Sequence, residues 1–212
     1  MKMPKTERGR RTRERILSTA ADLMLVHGVE GTSVDHMLAR SGTGKSQFYH
    51  YFEGKQDLVM AVLDHRVEED LARLGDLLER LDDWDAIREW FDAIIEVHER
   101  LEFVGGCPIG RLAAERAEVD EALRPLLLQA LRTKGEYLRR GLERMKMEGR
   151  LREDADPARL VDFVTAVLQG ALLLASVQKE REPLEAALEE AYRHLRSFAV
   201  HGSDRTSTTD QR

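Results

Sequence analysis

The sequence predicts an all-α protein in two parts, a small N-terminal three-helix helix-turn-helix head and a larger helical body. Three observations carry this expectation. Apolar residues recur at helical spacing almost throughout the 212 residues, and no segment sustains a period-two alternation bounded by turn residues. Charge is also split along the chain: residues 1–55 hold 10 Lys or Arg against 6 Asp or Glu, or +4, so the net charge of −6 leaves −10 for the rest. A basic head on an acidic body implies an anionic partner for the head alone.

The first helix is expected from about Thr6 to His27. It opens as a basic stem (Arg8, Arg10, Arg11, Arg13, Arg15), continues with an apolar stripe of Ile16, Ala20, Leu23 and Met24, and stops at Gly28. In TSVDHMLARSG, residues 32–42, Thr32 and Asp35 resemble a capping box, while Val34, Met37 and Leu38 form one apolar face. Gly42 ends that helix after about two turns. A third short helix is expected from Gly44 to Tyr51. Longer helices follow from Lys55 to about Leu81 and from Trp84 to Arg100, separated by the turn-like Asp82 and Asp83. The loop EFVGGCP leads to a helix from Pro108 to about Glu118, then one from about Asp120 to Gly149 with Pro125 in its first turn. Pro157 opens a largely apolar helix to about Lys179, and Pro183 opens the last, to about Val200. Residues 202–212, GSDRTSTTDQR, are polar without an apolar anchor and are expected to be a disordered tail. The expected units are therefore a DNA-binding head at 1–54, a body at 55–201 and the tail.

Several function classes are disfavoured at once. GTGKS, residues 42–46, resembles the tail of a phosphate-binding loop, but such a loop needs a glycine at the position of Ala39 and a preceding strand. The single cysteine, Cys107, excludes an intrachain disulfide and a cysteine-based metal cluster, and the histidines lack ligand spacing, so no metal site and no cofactor are expected. No paired nucleophile and base is recognisable, so the chain is not expected to be an enzyme. The start, MKMPKTERGRR, carries no apolar secretory segment, which predicts a cytoplasmic protein. The longest apolar run, Phe163 to Val177, is shorter than the roughly 20 residues that span a bilayer, so no membrane is expected as partner. An architectural DNA-binding protein would need basic charge spread over its surface, which the acidic body opposes.

A short helix, a tight turn at Gly42 and a second short helix form a helix-turn-helix, whose second member enters the major groove of double-stranded DNA. On it Gln47 can read a base edge, while Lys45, Tyr49 and His50 can reach phosphate oxygens. Thr43 and Ser46 stand beside them at the start of the helix. Phe48 and Phe52, four apart, are expected to face inward. Lys55, a cation at a helix N-terminus, makes better sense with an external phosphate there.

The stretch ILSTAADLMLVHGVEGTSVDHMLARSGTGKSQFYHYFEGKQDLVMAVL resembles the N-terminal DNA-binding domain of the TetR family of bacterial transcriptional regulators, FYHYFEGKQDL most specifically. The all-helical remainder is similar to their ligand-binding and dimerisation domain. The resemblance implies a homodimer that binds a palindromic operator and releases it when a small-molecule effector enters the body. Where the family usually has Val-Ser-Lys-Gly, this chain has Thr43, Gly44, Lys45 and Ser46, so its operator sequence cannot be borrowed from relatives.

Two features of the body remain open to more than one reading. The helix around residues 160–177 is apolar nearly all round, with Gly170 and Ala171 allowing close approach, and the last helix carries a stripe of Leu184, Leu188, Ala191, Leu195 and Phe198. These fit an ordinary core or a dimer-forming four-helix bundle; the bundle is the expected one. Trp84, Trp90, Phe91, His98, Phe103, Tyr137 and Met145 are candidates for an effector pocket, against the ordinary role of such residues as packing. Cys107 stands before Pro108, where the sulfur would cap a helix beside unsatisfied backbone N–H groups, with Arg111 one turn on. A Gly-Cys opening to the sixth helix also resembles TetR-type repressors that respond to electrophiles or oxidants through a cysteine. The plainer reading is a small buried hydrophobe.

Overall fold

The computed structural model describes residue 4 and residues 6–200; the expected tail lies outside them. Nine named helices follow in order: α1 Glu7–His27, α2 Val34–Ser41, α3 Lys45–Tyr51, α4 Lys55–Leu78, α5 Trp84–Arg100, α6 Pro108–Arg116, α7 Arg124–Met147, α8 Pro157–Gln178 and α9 Glu182–Arg196. Among the described residues there is no strand, only an isolated antiparallel bridge between Leu151 and Ala199.

Most helix ends follow from local chemistry. Thr6 caps α1 by accepting from the Gly9 N–H at 3.1 Å, and Asp156 caps α8 by accepting from Ala158 at 3.0 Å. The expected cap of α2 is corrected by one residue. Ser33, not Thr32, accepts from the His36 N–H at 3.1 Å. Thr32 is buried, and its hydroxyl instead donates to the Gly28 carbonyl at 2.8 Å. The long central helices are shorter than periodicity suggests: α4 stops at Leu78 because Arg80 and Leu81 bond back three residues in tight turns. α7 starts at Arg124 because the buried Asp120 carboxylate takes the Leu123 N–H at 3.0 Å and holds 120–123 as a turn.

Packing forms two apolar cores. One joins α1, α2 and α3 through Ile16, Leu17, Met37, Phe48 and Phe52 and extends into the first half of α4, α6 and the start of α7. The other fills the body between the second half of α4 and α5, α7, α8 and α9. α4 therefore belongs to both and runs from head to body.

The last helix departs from expectation. Leu184, Leu188 and Leu195 are at most 1% exposed within a single subunit and belong to its own core against α5 and α8. They are not available to a partner. The exposed apolar face lies on α8, where Phe163, Ala166, Gly170, Leu173, Leu174 and Val177 recur at spacings of three and four, opposite the buried Leu160, Val164, Leu172 and Ala175. Of the expected interface residues only Gly170 lies on this face, and a Cβ there would meet nothing within 4 Å. α8 is the one described helix long and apolar enough to cross a membrane by length and composition; its buried face packs on α7 and α9.

Candidate DNA-reading face and effector cavity

The head is built around two aromatic wedges. Phe48 and Phe52 are at most 1% exposed, with ring centroids 5.4 Å apart, so the opposite side of α3 must face solvent. Between α2 and α3, Gly42 adopts φ 62°, and the Thr43 N–H closes the turn on the Leu38 carbonyl at 3.2 Å. Thr43 was expected on the DNA face and is not there: its side chain is buried, 2.6 Å from the Ser41 hydroxyl, where it braces the turn.

Ser46, Gln47, Tyr49 and His50 are exposed together with Lys45, while Lys55 is half-buried at the start of α4. Glycine has no side chain to cap α3, so only the reciprocal half of a capping box forms: the Gln47 side-chain oxygen accepts the Gly44 N–H at 3.1 Å. Lys45 pairs with Asp35 of α2 at 3.0 Å, which raises its pKa above the usual lysine value and keeps it charged. Both partners are more than two-thirds exposed, so exchanging Asp35 for a phosphate costs little. Arg10 and Arg11 both lean on Glu7, at 2.7 and 3.2 Å, and hold its carboxyl below the ordinary range. A Cβ added at Gly9 would come within 3.2 Å of the Tyr51 hydroxyl, so the basic stem of α1 lies against the C-terminal end of α3. The stem and α3 thus present one cationic surface.

In the body a cavity of about 240 Å³ lies between α4, α5, α7 and α8 and is closed at one end by the start of α6. Its apolar wall includes Trp90, Ile94, Leu138, Val164, Leu168 and Leu172. Polar groups are few: His98, Cys107, Thr165 and Gln169 inside, and Asp22, Arg66, Glu69 and Arg73 toward α1 and α4. An apolar cleft with a handful of polar groups is the usual form of a small-molecule site. Among the expected residues, Cys107, His98 and Trp90 line it. Trp84, Phe91, Phe103, Tyr137 and Met145 do not. Trp84 packs instead on Tyr192 and under the Arg196 guanidinium; Phe91, Phe103 and Met145 are buried in the core. Thr165 and Gln169, one turn apart, went unread in the sequence, although two polar residues four apart inside an apolar helix are a signal of something polar to meet.

Cys107 occupies the cap of α6. Its sulfur accepts from the Gly110 N–H at 3.3 Å and from the Gln169 amide at 3.5 Å. The two glycines before it take φ 84° and 60°, and a Cβ at Gly105 would press within 2.8 Å of the Leu25 side chain, so the loop passes close against α1. From this capped end α6 runs to the head and clasps the C-terminus of α1. Arg111 donates to the Leu25 carbonyl at 2.7 Å, Glu115 accepts the Val29 N–H at 2.7 Å, and Arg116 pairs with Glu30 at 2.6 Å. One nine-residue helix therefore spans from the Cys107 cap to the end of α1.

A cationic helix-turn-helix head joined through α4 and α6 to a cavity-bearing body defines a helix-turn-helix transcriptional regulator. Comparison with known proteins makes the assignment specific. The signature of "Bacterial regulatory proteins, tetR family" matches residues 16–62, and that of "Tetracyclin repressor-like, C-terminal domain" matches residues 84–191. The chain is 32% identical to an HTH-type transcriptional regulator in the lacX 3' region of Lactococcus lactis, covering 84% of this chain and 89% of that protein. It is 27% identical to the HTH-type transcriptional repressor NemR of Escherichia coli K12, over 89% of this chain and 96% of NemR. The crystal structure of E. coli NemR in its reduced form superposes with a TM-score of 0.76 at 26% identity, covering 91% of this chain and 99% of that one. A TetR transcriptional regulator from Chloroflexus aurantiacus superposes with a TM-score of 0.80 at 28% identity, covering 92% and 98%. The chain belongs to the TetR family of bacterial regulatory proteins.

Proposed function

We propose that the protein is a homodimeric repressor that holds a palindromic operator with two copies of α3 and releases it when a small molecule occupies the cavity between α4, α5, α7 and α8. The observation that carries this reading is α6, whose first residues close the cavity and whose last two turns clasp the end of α1. Effector binding has a direct route to the spacing of the two heads. On DNA, Gln47 reads a base edge, and Lys45, Tyr49, His50, Ser46 and Lys55 meet the backbone or the groove floor. Two-fold symmetry is supplied by the α8 face, whose exposed Leu173, Leu174 and Val177 around Gly170 need a second copy to leave water.

A second reading is favoured by the surroundings of Cys107. Its sulfur is in the cavity wall, where it receives the Gly110 N–H and the Gln169 amide and can be met by a ligand held there. An electrophile held in the cavity would form a carbon–sulfur bond, and for an activated alkene the thiol proton ends on the adjacent carbon. That adduct breaks the Gly110 and Gln169 contacts and shifts the start of α6. The crystal structure of E. coli NemR, a protein of the same fold, is of its reduced form.

Operator release distinguishes the two readings. The expected result is that N-ethylmaleimide releases DNA from the parent protein and that Cys107→Ser, which still binds operator, is at least about tenfold less responsive; this corresponds to the roughly 1.4 kcal/mol of a tenfold change. Equal release from both, or none from the parent, removes the thiol reading. A non-covalent ligand that releases both proteins keeps the cavity reading intact.

A further inference from the structure

The charged residues lining the cavity are Asp22 on α1 and Arg66, Glu69 and Arg73 on α4. Their pairing is unequal. Arg66 holds both carboxylates, Asp22 at 3.2 Å and Glu69 at 2.9 Å, and Glu69 additionally lies 3.5 Å from the buried His65 ring. Arg73 follows Arg66 by seven residues, and so stands on the same face of α4, and it is exposed. Among the described residues no carboxylate lies within ion-pair distance of it. On α5, α6, α7 and α8 the lining carries one basic side chain, His98, with Nδ1 placed 2.9 Å from the Ile94 carbonyl, and no carboxylate.

We infer that the effector is an amphipathic organic acid, its apolar body in the Trp90, Leu168 and Leu172 end of the cavity and its carboxylate on Arg73. This rests on the cavity reading and gives it a ligand class. The chemistry follows from what each group lacks. The apolar wall rewards an apolar chain or ring, and burying a charge against that wall without a partner is costly, so the charge must stay at the α4 end. There the two carboxylates are already taken up by Arg66, and the guanidinium of Arg73 is the group left to receive an anion, in the two-pronged geometry that suits a carboxylate. The same anion also competes with Asp22 for Arg66. The Arg66–Asp22 pair ties α4 to α1, so a ligand acid drawn to this end weakens a bond between body and head as it binds.

The test is titration calorimetry on the full chain with octanoate, octan-1-ol and octylammonium, which share one apolar chain and differ in head charge. Octanoate is expected to bind about tenfold more tightly than the alcohol, in line with a charge-assisted hydrogen bond at a partly exposed site. Arg73→Ala, at an exposed position that leaves the fold intact, should remove most of that difference while octan-1-ol binding is unchanged. Equal affinity of acid and alcohol, or octanoate binding untouched by Arg73→Ala, overturns the acid assignment and leaves the cavity as a site for neutral ligands. Preference for octylammonium overturns it in favour of Asp22 and Glu69. Saturable binding by none of the three removes the cavity reading itself, and this inference with it.

Discussion

Leu188→Arg is expected to destabilise the body of each subunit without breaking the dimer, whereas Leu174→Arg is expected to leave each subunit folded and to yield a monomer that no longer holds operator. The two leucines look alike in sequence and differ in what surrounds them. Leu188 is 1% exposed, between Leu184 and Ala191 in the core that α9 shares with α5 and α8, so an arginine there is an unpaired charge without water. The cost is about 4 kcal/mol, a large share of the stability of an ordinary domain. Leu174 is 52% exposed in the isolated subunit, and an arginine there is solvated until a second α8 tries to close on it. Thermal melting followed by circular dichroism should show a loss of about 10 °C for Leu188→Arg and almost none for Leu174→Arg. Sedimentation should give monomer mass only for the latter. A folded, dimeric Leu174→Arg protein would take α8 out of the interface.

Gly141→Ala is the second large effect, from the smallest possible change. A Cβ at this position of α7 would overlap the carbonyl carbon and oxygen of Leu81 and stand 2.9 Å from the Asp82 nitrogen. The obstacle is backbone, and that backbone is strapped down. Arg144 pairs with Asp82 at 3.2 Å and donates to the Glu79 carbonyl at 3.2 Å, and Arg150 donates to the Asp82 carbonyl. The turn between α4 and α5 cannot yield without losing these bonds and uncovering Leu81, which is fully buried. Alanine is the better helix former by about 1 kcal/mol, so helix propensity alone predicts stabilisation. The clash reverses the sign, and a net loss of about 3 kcal/mol is expected in urea unfolding. A midpoint equal to or above the parent's would show that α7 and this turn are not in contact.

Helix order was legible because glycine, proline and periodicity mark boundaries locally: Gly28 and Gly42 stop α1 and α2, and Pro108 and Pro157 open α6 and α8. The inward faces of Phe48 and Phe52 follow from their spacing of four. What failed was whatever depends on a neighbour far along the chain. The stripe on α9 reads the same whether it meets its own α5 and α8 or a partner subunit, and nothing in Leu184, Leu188 and Leu195 distinguishes these. Thr43 lies in a turn whose side-chain direction is set by Gly42 and by the Ser41 hydroxyl, not by its place beside Lys45 and Gln47. Aromatic residues at helical spacing look alike in sequence, yet Trp84 and Trp90, six apart on one helix, point to Tyr192 and to the cavity respectively. The contact between Cys107 and Gln169 spans 62 positions. No periodicity encodes it.

The most direct measurement is selection of duplexes from a random pool by the purified protein at fixed salt, repeated with Gln47→Ala. The account predicts enrichment of a two-fold symmetric site whose half-sites are separated by about 34 Å or a multiple of it, and a change in the selected bases, rather than only weaker recovery, with Gln47→Ala. Absence of any enriched sequence, or the same sequences selected by both proteins, would contradict operator reading by α3.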